Sequence, residues 1–427
     1  MRWVTGSLAA LCILSASLTT MAENWPNWRG PKNNGISPEK AVPVRWSTTE
    51  NVAWKIDLPG PAGSTPVIWG DQIFLTSVDT DGQLLLLCYG SDSKEQWRQT
   101  IASGNKNVRG DEGNFASPSP LTDGKHVWTL MGEGSLACFT TTGQPVWKFN
   151  VQERYGQLQL QFGLTSTPVI DGDVLYLQLI HGEGDPKTRE ACVVALEKTT
   201  GKQIWRVDRP SDGRAENEHS YASPMIYDDG KLKFLLSHGC DYVVAHRLSD
   251  GAELWRCGEL NRKSNYDPTL RFVASPVTAD GIIIVPSAKK GPLLALRPDA
   301  MGDITENKTA HLWTIDRTPD VPSPLIVDDI VYLCMENGDL WTIDRRTGER
   351  FFMERTNRQR HRASPVYANG HIYLAARDGK VTVVKAGPKF EIVAENELKE
   401  DMSSSLAIAN GTVYIRTFEK LWAIRGK

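Results

Sequence analysis

The residues able to do chemistry gather in five short stretches, most of them just upstream of a Ser-Pro or Thr-Pro pair. They read Arg109-Gly110-Asp111-Glu112-Gly113-Asn114-Phe115, Gln159-Leu160-Gln161-Phe162, Glu216-Asn217-Glu218-His219-Ser220-Tyr221, Asn265-Tyr266-Asp267 running on to Arg271-Phe272, and Arg358-Gln359-Arg360-His361-Arg362. An arginine grips a carboxylate or phosphate through two parallel hydrogen bonds. Aromatic faces such as Phe115, Tyr221 and Phe272 stack on a sugar or peptide ring. The candidate ligand-binding residues are therefore Arg109, Asp111, Asn114, Phe115, Glu218, His219, Tyr221, Asp267, Arg271, Arg360, His361 and Arg362. Together they suit a small polar or anionic ligand, or a segment of a protein partner. The alternative is that Arg and Asp/Glu simply pair and tie the loops together. No residue is singled out as catalytic, because there is no Walker loop, no HExxH and no GxSxG. Asp171 and Asp173 flank a glycine and read as turn residues. The eight histidines are scattered; His181, His238, His246, His311 and His371 read as surface or edge residues, and no metal site is expected.

The same marker punctuates the chain. Copies start at Thr65-Pro66, Ser117-Pro118, Thr167-Pro168, Ser223-Pro224, Ser275-Pro276, Ser323-Pro324 and Ser364-Pro365, with a degenerate eighth at Ser404-Ser405. A turn follows each, among them Asp123-Gly124, Asp229-Gly230, Asp280-Gly281, Asn369-Gly370 and Asn410-Gly411, and suggests a type I′ hairpin. The flanking runs are strand-like, as in Val174-Leu175-Tyr176-Leu177. A second hairpin follows, typified by Ala195-Leu196-Glu197-Lys198-Thr199-Thr200-Gly201-Lys202-Gln203-Ile204-Trp205. Equivalent tryptophans are Trp54, Trp97, Trp147, Trp255 and Trp313, with Phe352 in the sixth copy.

A four-stranded unit of 40–56 residues, repeated eight times, predicts an all-β fold: an eight-bladed β-propeller of four-stranded antiparallel blades. Each Trp would dock its blade on the next. The eighth copy stops at Leu421-Trp422-Ala423-Ile424, and its missing strand is found at the other end, in Asn51 to Leu58. An N-terminal strand pairing with the C-terminal blade would close the ring and remove its open edges. One domain, 45–427, follows from this, with a leader, 23–44, packed on it.

Residues 1–22 have the form of a signal peptide: Arg2, an apolar Leu8–Leu18 stretch, and Thr20-Met21-Ala22 before the cut. An exported protein, periplasmic or extracellular, is expected, with no transmembrane segment. Six widely spaced cysteines remain, Cys88, Cys138, Cys192, Cys240, Cys257 and Cys334, read as buried thiols in strands. Lys+Arg at 48 against Asp+Glu at 51 gives no basic surface for nucleic acid. A monomer is expected.

The Ala-Leu-Asp/Glu-x-x-Thr-Gly-x-x-x-Trp pattern, met at Ala195 to Trp205, resembles the PQQ-like propeller repeat family over nearly the whole chain after residue 22. The stretch Trp25-Pro26-Asn27-Trp28-Arg29-Gly30-Pro31 is similar to the leader of exported bacterial members. The resemblance implies one of several roles, since fold does not fix function. One is a binding scaffold, like the outer-membrane assembly propeller. Another is a sensor propeller carried by a receptor kinase. A third is a quinoprotein oxidoreductase using PQQ and calcium at the channel mouth; apart from the resemblance, a carbohydrate-acting enzyme using the same mouth is the other alternative. The adjacent Cys-Cys pair usual in the quinoprotein enzymes is absent here. A non-enzymatic scaffold without cofactor is the expectation.

Overall fold

The computed structural model describes Met1 and residues 24–108, 113–180 and 191–426. The expected signal peptide and His181 lie outside these residues. Eight antiparallel sheets follow one another round a ring. Their inner strands are Val67–Trp69, Leu121–Thr122, Val169–Asp171, Met225–Asp228, Val277–Ala279, Leu325–Val327, Val366–Ala368 and Ala407–Ala409. The eighth blade takes its outer strand from the N-terminal side: Val52–Asp57 pairs with Lys420–Arg425, Trp54 opposite Ala423. The closure read from the sequence is thus present. Two blades carry a fifth strand: Gly302–Asp303 on the outer edge of blade four, and Ile36–Ser37 on the inner edge of blade seven.

The core is distributed over the seams. One apolar cluster joins Phe74 and Leu86 to Val127 and Ala137, another joins Trp128 to Leu177 and Val194, and a third joins Leu236 and Trp255 to Ile283 and Leu296. The outer-strand tryptophans bridge these seams. The indole N–H of Trp54, Trp97, Trp147, Trp205 and Trp313 donates to the carbonyls of Ser91, Thr141, Lys198, Leu248 and Arg345 in the next blade, at 2.8–3.0 Å. Trp255 instead packs edge-on against Phe234, ring centroids 5.9 Å apart. Opposite each of these tryptophans across the ladder stands a small residue: Cys88, Cys138, Ala195, Ala245, Ala295 or Ala423. A register shift beside each Trp re-aims it toward the neighbouring blade. The six cysteines are free and buried.

At the channel the blades are linked by hydroxyls. The backbone N–H of Thr65 donates to Ser119 Oγ at 2.9 Å, Thr167 to Ser223, Ser223 to Ser275, Ser275 to Ser323, Ser323 to Ser364 and Ser364 to Ser405, each at 2.9–3.0 Å. The second repeat therefore starts at Ser119-Pro120, not Ser117-Pro118; Ser117 belongs to the preceding loop, where its Oγ takes the Asn114 N–H. The turns differ too. Both central residues have positive φ at Asn369-Gly370 and Asn410-Gly411, as a type I′ turn needs. In the Asp-Gly copies the aspartate keeps negative φ, and at two of them its carboxylate caps the backbone ahead: Asp229 Oδ1 accepts from Lys231 and Leu232, and Asp123 Oδ1 from Lys125 and His126.

The leader enters the channel. Trp25 exchanges two 2.9 Å backbone bonds with Ile68, Pro26 O accepts from Thr122, and Asn33 Nδ2 reaches Met225 Sδ. The fully buried Arg29 clamps Pro324 O at 2.7 Å and Pro365 O at 3.0 Å. The chain then returns beside blade seven, Ile36 opposite Tyr367. Gly30, at φ +78°, has to be glycine, since a Cβ would lie 2.7 Å from the Trp25 ring. The leader is thus a turn wedged between inner strands on opposite sides of the ring.

The seam contacts give a first prediction. Gly201 (φ +67°) carries the Trp147 ring, with a Cβ there meeting it at 2.9 Å; Gly172 (φ +55°) is open. Gly172→Ala should cost only the left-handed backbone penalty, about 1 kcal/mol. Gly201→Ala should cost that plus the displaced indole, so its melting temperature should fall clearly further. Equal melting temperatures would contradict the docking role of Trp147.

Candidate functional site

Inner strands run away from the Ser/Thr belt toward the Asp-Gly turns. The loops between blades and the turns joining second to third strands therefore share the opposite face. They enclose a cavity of about 470 Å³ at the channel mouth. Its wall carries the belt hydroxyls of Thr65, Ser119, Thr167, Ser223, Ser275, Ser323, Ser364 and Ser405, and Trp28 of the leader also lines it.

Five of the expected residues line this cavity: Asn114, Tyr221, Arg271, Arg360 and Arg362. Asn114 is largely committed to its own loop, its Nδ2 on Pro61 O at 2.6 Å and its Oδ1 taking the Ala116 N–H. Arg271 donates to Glu216 at 2.5 Å and lies over the Phe162 ring, 4.7 Å from its centroid. Phe162 in turn packs against Tyr221 at 5.8 Å.

The other expectations are corrected. Phe115 packs inward between Gly132 and Gly163. Glu218 is buried in a short 3₁₀ turn. His219 beside it is half-buried, and burial lowers its pKa. Asp267 caps Thr269 through N–H and Oγ1. His361 is fully buried, its Nδ1 on Gln359 O at 2.9 Å, with burial holding its pKa down. Phe272 is buried edge-on to His238. Sequence placed these side chains in the right loops, but loop residues alternate between the cavity and the core beneath it. Arg109 and Asp111 lie outside the described residues. His238 and His246 are core residues rather than surface ones, and burial pushes them down to about 3 and about 4, so both are neutral.

Three charged wall residues escaped the sequence reading: Lys289, Asp320 and Glu336. Lys289 and Glu336 sit in the turns between second and third strands, which carry no Ser-Pro marker. The signal available was strand alternation alone, which puts those turns on the loop face. Glu336 accepts from Arg362 at 3.0 Å and faces Lys289 at 3.5 Å; Lys289 also faces Asp320 at 3.7 Å. Burial pushes the Asp320 carboxyl up to about 6, and the hydrogen bond and charge of Glu336 add to it. Burial also opposes ionisation of Glu336, but Arg362, the Asp320 hydrogen bond and Lys289 outweigh it and hold Glu336 low. Among the described residues no three His, Cys, Asp or Glu side chains gather as a metal would need. No helix there is long and apolar enough to cross a membrane.

A closed eight-bladed propeller with Trp-docked seams and a polar mouth defines the class: a PQQ-like repeat propeller. The family model described as "Outer membrane protein assembly factor BamB" matches residues 86–354, and the chain belongs to that family. It is 21% identical over 329 residues to the outer membrane protein assembly factor BamB of Yersinia pestis, covering 75% of each chain. Among solved structures it is similar to BamB from Moraxella catarrhalis: TM-score 0.62, 15% identity, 87% of this chain and 99% of that one. It is also similar to a europium-containing methanol dehydrogenase: TM-score 0.68, 11% identity, 92% and 89%. At these identities the solved structures speak for the fold alone.

The carboxyl pair gives a second prediction. A folded-state pKa above the ordinary 3.8 means the folded form holds the Asp320 proton more tightly. That contribution to stability is present below pH 3.8 and lost as pH rises through about 6. The melting temperature of the wild type should therefore fall relative to Asp320→Asn across this window. Parallel pH curves for the two proteins would contradict the pairing.

Proposed function

We propose that this chain is an exported, non-enzymatic scaffold that holds a protein partner against the loop-bearing mouth of the propeller. The name of its relatives points to partners engaged in assembling outer-membrane proteins. The carrying observation is the mouth itself, a cavity lined by Trp28, by hydroxyls and by ion pairs, with no nucleophile–base pair set against it among the described residues. Residues 1–22 support export to the periplasm or beyond.

The PQQ and calcium of the quinoprotein reading do not fit these residues. Calcium takes six to eight oxygen ligands. Among the described residues two carboxylates, Asp320 and Glu336, line the mouth, and Lys289 and Arg362 already stand against them. The leader, with Trp28 and Arg29, occupies the base of the channel. Carbohydrate chemistry would need two opposed carboxylates flanking a sugar bond. Here the two share one wall and hydrogen-bond each other.

A photo-crosslinking residue tests the proposal in cells producing the full chain. Placed at Arg360 on the mouth, it should capture a component of the outer-membrane assembly machinery. Placed at Asp173, whose side chain is 95% exposed on the opposite face, it should not. Equal capture from both positions, or none from Arg360, would overturn the reading, as would alcohol-dependent dye reduction requiring PQQ and calcium.

A further inference from the structure

Among the described residues the belt bond is absent at two of the eight seams. At the six bonded seams every acceptor is a serine. At the bare seams it would be a threonine: Thr167 between blades two and three, and Thr65 between blades eight and one. A β-methyl restricts the χ1 positions from which a threonine Oγ1 can meet the neighbouring N–H. Between blades two and three the indoles of Trp128 and Trp147 both donate to Lys198 O, at 2.8 and 3.0 Å. The seam that closes the ring uses a cation.

Arg416 ends the second strand of blade eight, Thr412–Arg416, and is fully buried. Its Nη1 donates to Ser64 Oγ and Thr76 O, each at 2.5 Å, and its Nη2 to Gly60 O at 3.4 Å. All three acceptors belong to blade one or to the loop that leads into it. Each is a neutral oxygen, and a charged donor holds such an oxygen more strongly than a hydroxyl or amide does. Burial lowers the Arg416 pKa to about 9, which leaves it charged at neutral pH.

The bonds continue on both sides. Ser404 Oγ donates to Arg416 O at 2.7 Å, within blade eight. Ser77 Oγ donates to Gly60 O at 2.8 Å, and a Cβ on Gly60 would lie 2.4 Å from Val78 O, so the loop lies tight on the second strand of blade one. Thr76 Oγ1 donates to Ala116 O at 2.6 Å and Pro118 O at 2.9 Å, in the loop into blade two. Gly63 and Thr65 of the tied loop line the mouth, as do Ser403 and Ser405 of blade eight. A Cβ on Gly63 would lie 3.1 Å from Ser403 Oγ, so the two sides meet closely there.

We propose that Arg416 is the positioning residue of the mouth at the closing seam: it holds loop 60–65 of blade one against blade eight, where the belt has no bond. The proposal stands on the fold and is independent of what the mouth binds, so it survives or fails apart from the scaffold reading.

Hydrogen–deuterium exchange of the intact mature protein tests it at two amides that bracket the loop. Leu58 N–H is bonded to Glu419 O at 2.8 Å and Thr65 N–H to Ser119 Oγ at 2.9 Å. In Arg416→Met both should exchange at least about tenfold faster, while the amides of Ser223 and Ser275, on other seams, keep their wild-type rates. Arg416→Lys keeps the charge but brings one ammonium to three acceptors, and should fall between. Ser64→Ala removes a single acceptor and is the milder variant; it should speed the same two amides by about threefold. Unchanged exchange at Leu58 and Thr65 in the folded variants would overturn the proposal. So would equal acceleration of all four amides, which would make Arg416 a contributor to overall stability alone.

Discussion

Everything at the mouth depends on one repeated bond, a backbone N–H at the head of an inner strand donating to the Oγ of the equivalent serine one blade on. Such a bond contributes only about 1 kcal/mol net. Its weight lies in position. Six of these bonds run round the axis, where an unpaired N–H would otherwise be buried. They fix the angle between neighbouring blades at the point where the loops diverge. The proline that follows most of the belt residues cannot compete for the acceptor, and it holds the residue before it extended.

The outer rim is held by a different device with the same period. A small residue on the third strand leaves room for a Trp on the fourth. A bulge aims the indole at the next blade, and a glycine in that blade's last hairpin gives it a flat seat. Inner hydroxyls and outer indoles together leave each blade little freedom to tilt. The leader adds a tie across the diameter. Its Arg29 joins blades six and seven, while Trp25 and Pro26 join blades one and two. The mouth is therefore a rigid frame with charged side chains at its edge, an arrangement suited to recognition. Among the described residues its two carboxylates, Asp320 and Glu336, stand against Lys289 and Arg362.

Much of this was legible in the sequence because its period is long and its punctuation strong. Eight Ser/Thr-Pro or Ser-Ser markers and six tryptophans specify the blades, and the orphan strand Asn51 to Leu58 specifies the closure. The marker was misplaced by two residues in blade two, because Ser117-Pro118-Ser119-Pro120 offers it twice and only the partner of Thr65 N decides. The mouth was half legible. Arg271, Arg360 and Arg362 were found because they crowd one loop each. Lys289, Asp320 and Glu336 were missed because their importance comes from neighbours in other blades. His361 was misread since a polar residue between two arginines looks exposed, yet its backbone N–H is tied to Glu336 O and its ring faces inward. The path of the leader was not legible at all: Trp25, Arg29 and Gly30 mark a motif, but a motif does not say which cavity it fills.

The central claim is that the serine belt, bonded across six of the eight seams, fixes neighbouring blades and holds the mouth in shape. Hydrogen–deuterium exchange of the intact mature chain tests it most directly, read at the amides of Thr65, Thr167, Ser223, Ser275, Ser323 and Ser364. The account predicts that these amides exchange as one slow class, as slowly as the central strands of the blades, although they sit beside a solvent-reached cavity. Exchange as fast as that of the surrounding loop amides would contradict it, and would mean that the blades are held by their outer seams alone.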